Sequence, residues 1–233
     1  MLTMTAFQDF RESLVSLRDK IWQIFGPTIF NRPLFYSYPG GLRFELSEGG
    51  SATEQLRVAL RKSKVICKDI FVDDHPIATC LRIYSDNNRF LHRRSILALK
   101  HAGINIPAER WLWSEERDKD DWCDESEPDY WLYLAFEASA GSLDALLTCA
   151  LVKDLDLGTY PYCDLYLFNL RKGIVAFPYD DRGMDVVGPN TVALRNLYNA
   201  HHKYLLNYDR AIMEKTFGSV AKEYRTSSNK TSL

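Results

Sequence analysis

The first regular pattern along the chain is helical. Phe7, Phe10, Leu14, Leu17, Ile21 and Ile24 recur at alternating spacings of three and four, which lines one face of an amphipathic helix. The stripe is also heptad-like, but it is shorter than a coiled coil requires, so the helix is expected to pack on its own domain. Gly26 to Gly41, "GPTIFNRPLFYSYPGG", is rich in turn formers and reads as an irregular connection. Leu42, Phe44 and Leu46 then alternate with Arg43 and Glu45, the period of a strand with one apolar face. After Gly49-Gly50 comes "SATE", in which Ser51 accepts the amide of Glu54 and Glu54 reaches back. That capping box predicts a helix burying Leu56, Ala59, Leu60, Ile66, Cys67 and Ile70.

Pro76 to Tyr84 predicts a strand, Asn88 to Ala102 a helix and Trp111 to Trp113 a short strand. Tyr130 to Phe136, "YWLYLAF", is apolar on both alternating faces and predicts a strand covered on both sides, in the centre of its sheet. Ser142 is placed to cap a helix carrying Leu143, Leu146, Leu147, Ala150 and Leu151. Leu165 to Leu170 and Ile174 to Phe177 flank "RKG", a β-hairpin. Asn190 opens a last long helix with the stripe Leu194, Leu197, Tyr198, His201, Leu205 and Tyr208. Helices alternating with strands predict a sheet covered on both faces, and the hairpin demands at least one antiparallel pair. The expected class is α/β: a mixed, mainly helix-covered sheet, an α/β/α sandwich of Rossmann-like type, with an antiparallel hairpin near the C-terminal end. Residues 1–217 are expected to form a single domain without internal repeats, and 218–233 a flexible polar tail.

Composition sharpens this only slightly. A chain that is 46% hydrophobic and 26% charged has the makings of a packed core and not of a disordered segment. The five cysteines are odd in number and never closer than 13 residues, so they read as reduced thiols, with no disulfide framework and no metal knuckle. The N-terminus lacks a basic segment followed by an apolar one, and no run of about 18 uncharged apolar residues occurs. A cytoplasmic protein, neither exported nor membrane-spanning, is therefore expected.

Charge is more informative in its distribution than in its total of -2. Residues 1–114 hold 16 Lys and Arg against 11 Asp and Glu, and residues 115–233 hold 13 against 20. Much of the acidity lies in "EERDKDDWCDESEPD", residues 115–129, where nine acids face only Arg117 and Lys119. Such a block repels itself and is expected to form a loop outside the core. A loop holding Asp120, Asp121, Trp122, Asp124 and Glu125 would offer a basic partner complementary charge and an aromatic anchor.

The second unusual stretch is "FPYDDRGMD", residues 177–185. It follows the second strand of the hairpin, a strand end of the kind where open α/β sheets bind ligands. Asp180, Asp181 and Asp185 could gather a hard cation such as Mg²⁺, with Arg182 holding a phosphate or carboxylate. The competing account is structural: Asp180 or Asp181 pairs with Arg182, Gly183 takes a positive φ, and an aspartate bonds local amides to fix a turn.

Three stretches, "RPLFYSYPGGLRFELSEG", "FPYDDRGMDVV" and "LLNYDR", together resemble an uncharacterised bacterial family, a domain of unknown function described as Rossmann-like. The similarity spans Arg32 to Phe217, with PYDDRGMD as its distinctive part. The resemblance implies a bacterial cytosolic origin and an α/β fold, and it brings no catalytic residues with it.

Other constellations are weaker. Gly49-Gly50-Ser51 lacks the G-x-G-x-x-G spacing and a Walker lysine, and capping already accounts for Ser51. His201 and His202 point about 100° apart on a helix, and His75, His92 and His101 have no metal spacing. No G-x-S-x-G elbow is present. Basic residues on the helix from Glu54 to Lys68, with Arg89, His92, Arg93 and Arg94, would suit nucleic acid, but a pI near 6.2 gives no general attraction to polyanions.

Three functions follow from this reading. The first is a protein-binding role without cofactor, most concretely an immunity protein that neutralises a bacterial toxin, such as a nuclease, through its acidic surface. The second is a nucleotide- or phosphate-binding enzyme using the Asp-rich turn, with Mg²⁺ as its metal. The third is a structural subunit docking through the N-terminal helix.

Overall fold

The computed structural model describes residues 15–71, 75–85, 90, 92–116, 130–155 and 162–218. Seven strands, β1 (Leu42–Glu45), β2 (Ile77–Ser85), β3 (Trp111–Glu116), β4 (Tyr130–Ala138), β5 (Asp164–Asn169), β6 (Ile174–Asp180) and β7 (Gly183–Val187), form one sheet in the order β1-β7-β6-β5-β2-β4-β3. Every pairing is antiparallel. This overturns the expected mixed, Rossmann-like α/β/α sandwich, which requires adjacent parallel strands.

The reason lies in which strands the helices connect. The helices are α1 (Leu17–Phe25), α2 (Leu34–Ser37), α3 (Ala52–Ile70), α4 (His92–His101), α5 (Leu143–Leu151), α6 (Thr191–Ala200) and α7 (Arg210–Phe217). α3, α4 and α5 each carry the chain from one strand to another of the same direction, β1 to β2, β2 to β3 and β4 to β5. None of these strand pairs is adjacent, because at least one antiparallel strand always lies between them. The alternation of strand and helix is the same in a split arrangement as in an adjacent one, so the periodicity that predicted parallel neighbours is equally satisfied here.

Period-two alternation divides the core between the two faces of the sheet. On one face Leu42, Phe44, Leu81, Leu134, Leu165, Ala176 and Met184 pack with residues of α3 to α7 such as Ile66, Leu99, Leu146, Leu194 and Met213. On the other, Cys80, Tyr133, Tyr166, Phe168, Phe177 and Val187 meet Leu17, Ile21 and Phe25 of α1, the 3-10 turn Pro27–Phe30, and Leu34. The second layer is therefore a single stretch of chain near the N-terminus, and its caps are local. Ser16 Oγ accepts from the Asp19 amide at 3.1 Å to start α1, as Ser51 Oγ accepts from Glu54 and Asn190 Oδ1 from Ala193 to start α3 and α6. Of the first stripe, Phe7, Phe10 and Leu14 lie outside the described residues.

Several local expectations change. β4 is buried on both faces, as its sequence predicts, yet it lies next to edge strand β3, and β5 holds the centre. The last long helix breaks at Ala200: Leu205 leaves the stripe to bridge Phe44 of β1, the Leu206 amide donates to the Arg43 carbonyl at 2.9 Å, and α7 follows. Ser142 makes no side-chain cap, its Oγ lying 2.9 Å from that of Ser139 instead. The hairpin around "RKG" is present as β5–β6, with Gly173 at a φ of 60° closing its turn. The charged stretch after it is not a strand-to-helix loop but a second hairpin, β6–β7, turning at Asp181-Arg182. Among the described residues no helix is long and apolar enough to cross a membrane.

Candidate functional site

The face covered by the N-terminal stretch changes character at one end of the strands. Along β2 the residues Ala78 and Cys80 on this face give way to Arg82 and Tyr84; along β5, Tyr166 and Phe168 are preceded by Asp164; β4 contributes Trp131 and β6 Tyr179. Sheet register brings these together. Arg82 stands opposite Asp164 on the neighbouring strand, and Tyr84 stands opposite Trp131. With Arg32, Lys153, Asp154, Tyr162, Asp180 and Arg182 they line a pocket of about 540 Å³.

At its base three cations converge on one carboxylate. Arg32 Nη1 donates to both oxygens of Asp164, at 3.1 and 2.9 Å. Arg82 approaches Oδ2 through Nε at 3.2 Å and Nη2 at 3.1 Å, and Lys153 Nζ donates to Oδ1 at 2.9 Å. The Arg82 guanidinium is held further by the Phe30 carbonyl at 2.7 Å and lies 4.2 Å from the Trp131 ring centre. Arg82, Lys153 and Asp164 side chains are only 8%, 10% and 8% exposed, whereas Arg32 is 39% exposed. Burial pushes the Asp164 carboxyl upward, but the charges of Lys153, Arg32 and Arg82 outweigh it and hold the group below the ordinary aspartate value. Among the described residues a single carboxylate therefore neutralises one of three clustered cations. Desolvating surplus charge is costly unless something completes the set, so the base of the pocket is electrostatically suited to an anion.

The rim adds little compensating charge. Arg182 is paired with Asp180 through Nε at 3.0 Å and through its terminal nitrogen. Asp154 is exposed, where solvent screens it.

A second charged cluster sits nearby on the same face. Arg43 donates to Asp185 Oδ1 from Nε at 2.7 Å and to Oδ2 from Nη2 at 3.0 Å, and its Nη1 reaches Asp209 at 3.2 Å. The Tyr36 hydroxyl donates to Asp209 at 2.7 Å and the Phe35 amide to Asp185 at 3.0 Å. Both carboxylates are almost wholly buried. Burial raises the Asp185 carboxyl above its ordinary value, against the pull of Arg43 and the Phe35 amide and with the push of Asp209. This cluster ties α2, β1, β7 and the segment before α7 together, and Arg43 and Asp185 also border a smaller pocket of about 400 Å³ that shares Arg32 and Tyr179 with the first.

The four residues singled out in the Asp-rich turn do not converge. Asp180 accepts from the Arg182 and Gly183 amides at 2.8 and 3.2 Å besides pairing with the Arg182 side chain. Asp181 accepts from Ser47 Oγ at 3.0 Å, and Asp185 faces Arg43. Gly183 does not have the positive φ expected of it; a Cβ there would collide with the outer edge of the Tyr179 ring, which would have to move to admit it. Among the described residues no group of three His, Cys, Asp or Glu side chains could hold a metal ion. Asp180 and Arg182 do border the larger pocket, so the turn forms part of its wall.

Asp120, Asp121, Trp122, Asp124 and Glu125 lie outside the described residues. The acidic block is anchored on both sides: Glu115 and Glu116 end edge strand β3, paired with Trp131 and Tyr130 at the start of β4. The basic residues of α3 are in part engaged within the fold, Arg57 with Glu54 and Lys64 with Asp144.

Arg32, Arg82, Lys153 and Asp164 were not apparent as site residues from the sequence. The available signal was a single charge inside each of two apolar strands, "IATCLRIY" and "DLYLFN", since a buried strand tolerates a charge only beside a partner.

A family model described as a domain of unknown function (DUF3885) matches residues 17–209. No curated protein and no solved structure matches the chain.

Proposed function

The chain belongs to the DUF3885 family, and from that premise we propose that it is a binding protein for a small anionic ligand, captured in the pocket between the ends of β2, β4, β5 and β6. The observation that carries this reading is the convergence of Arg32, Arg82 and Lys153 on the lone carboxylate of Asp164. The volume of about 540 Å³ lies in the range of small-molecule sites, and charged groups with aromatic walls are the lining such sites use. The test is thermal unfolding of the full chain in a phosphate-free buffer, with and without inorganic phosphate. Ligand that binds only the folded state stabilises it by about 2.7 kcal/mol at a hundredfold excess over Kd, so the melting temperature should climb with phosphate in the wild type and much less in Lys153→Gln. Equal behaviour of the two proteins would remove the reading.

A second reading, neutralisation of a bacterial toxin by the acidic block, has one observation in its favour: the block joins the two strands of an edge hairpin, so Asp120, Asp121, Trp122, Asp124 and Glu125 connect directly to an outer strand of the sheet. Its test is co-expression with a toxin encoded beside the gene. Protection of the cell and a complex on gel filtration support it; the absence of both removes it.

A further inference from the structure

We infer that the anion is the dianionic phosphate of a phosphomonoester whose other end is a planar aromatic group, as in a nucleoside monophosphate. This deepens the small-anion reading and rests on it. Three features of the pocket lead there.

The first is charge. Arg32, Arg82 and Lys153 exceed Asp164 by two units at the base of the pocket, while Arg182 and Asp180 neutralise each other and Asp154 stands at the solvated rim. A phosphomonoester carries close to two negative charges near neutral pH, whereas a phosphodiester or a simple carboxylate brings only one. Donors for it are at hand. Arg82 directs Nε, Nη1 and Nη2 to Asp164 and the Phe30 carbonyl, but Arg32 engages Asp164 through Nη1 alone among the described residues, and Lys153 Nζ has three hydrogens for its one bond to Asp164.

The second is size. A lone phosphate fills only a small part of about 540 Å³, so the remainder is shaped for what the phosphate is attached to.

The third is the walls. Trp131, whose ring carries the Arg82 guanidinium, meets Tyr84 edge-on at 5.8 Å, and Tyr179 closes the side toward the Asp-rich turn. Tyr162 borders the same space with 77% of its surface exposed and stacks on no other ring among the described residues. An open aromatic face beside a cationic base offers a surface on which a planar group can lie while its phosphate reaches Arg32 and Lys153.

The test is calorimetric titration of the full chain with inorganic phosphate, glycerol phosphate, phenyl phosphate, adenosine and adenosine monophosphate. The two aromatic phosphomonoesters should bind roughly tenfold more tightly than glycerol phosphate, the size of one base–aromatic stack. Adenosine alone should bind more weakly than either. Tyr162→Ala, at an exposed position, should abolish the tenfold preference of the aromatic esters over glycerol phosphate. If inorganic phosphate binds but the aromatic esters do no better than glycerol phosphate, this inference fails and the small-anion reading stands. If no phosphate compound binds, both fail.

Discussion

Asp164→Asn is the sharpest probe of the charge arrangement. Asparagine keeps the volume and one acceptor oxygen but removes the only carboxylate that, among the described residues, pairs with Arg32, Arg82 and Lys153. Removing one partner of a buried ion pair leaves uncompensated charge and costs about 3–5 kcal/mol. Arg82 and Lys153 meet the condition of burial, at 8% and 10% exposure, whereas Arg32 at 39% is largely relieved by water and adds little. A loss of about 3–5 kcal/mol is therefore expected from the two buried cations alone. The measurement is urea unfolding at neutral pH in phosphate-free buffer, read as a shift in midpoint at unchanged slope. Asp144→Asn is the control: Asp144 pairs with Lys64 at 2.8 Å but is 67% exposed, so its loss should stay below about 1 kcal/mol. Added phosphate should restore more stability to Asp164→Asn than to the wild type, because it replaces the missing charge as well as filling the pocket. A cost for Asp164→Asn no larger than that of the surface control would refute the claim that the pocket holds unbalanced cations.

Other outcomes follow from the same geometry. Arg43→Lys should cost about 2–4 kcal/mol in the same unfolding assay, since an ammonium cannot reproduce the two-pronged contact with Asp185 while also reaching Asp209. Gly183→Ala should cost about 1–3 kcal/mol through its collision with the Tyr179 ring, and most of that penalty should vanish in a Tyr179→Ala background. Tyr166→Phe should leave stability unchanged or raise it by about 1 kcal/mol, because the buried hydroxyl has no hydrogen-bond partner among the described residues. Stability against pH should separate the two buried aspartates. The Asp164 carboxyl is held below 3.8, so its contribution is present above that value and is lost as pH falls through its folded-state pKa; the Asp185 carboxyl is raised above 3.8, so its contribution is present below that value and is lost as pH rises through its own. Asp164→Asn should flatten the stability profile below pH 3.8, and Asp185→Asn should flatten it above that value.

Much of the secondary structure was legible because it is local. Ser51 and Asn190 mark real helix starts, and the alternation of Leu42, Phe44 and Leu46 reports a real apolar face. Adjacency was not legible, because direction and neighbourhood are separate properties: the helices α3 to α5 do join strands of like direction, but those strands are never side by side. β7 is hidden in the sequence because Asp180 to Asp185 concentrates charge, and concentrated charge reads as a loop. In fact Asp185 is a strand residue on the same face as Arg43, its partner across the β1–β7 ladder. The pocket escaped for a related reason. Arg82 and Asp164 are unremarkable singly and become a site only when register sets them opposite each other across 82 positions of sequence.

The long reach of these pairings bears on how the molecule comes into being. Phe35 donates to Asp185 across 150 positions, Arg43 pairs with the same residue across 142, and Arg32 meets Asp164 across 132. During synthesis from the N-terminus, therefore, the N-terminal layer of the protein emerges long before the strands it is to cover. It waits on the ribosome with its apolar side chains and arginines unmatched until β5, β6 and β7 have been made. A nascent chain truncated before β7 should remain protease-sensitive throughout its leading segment.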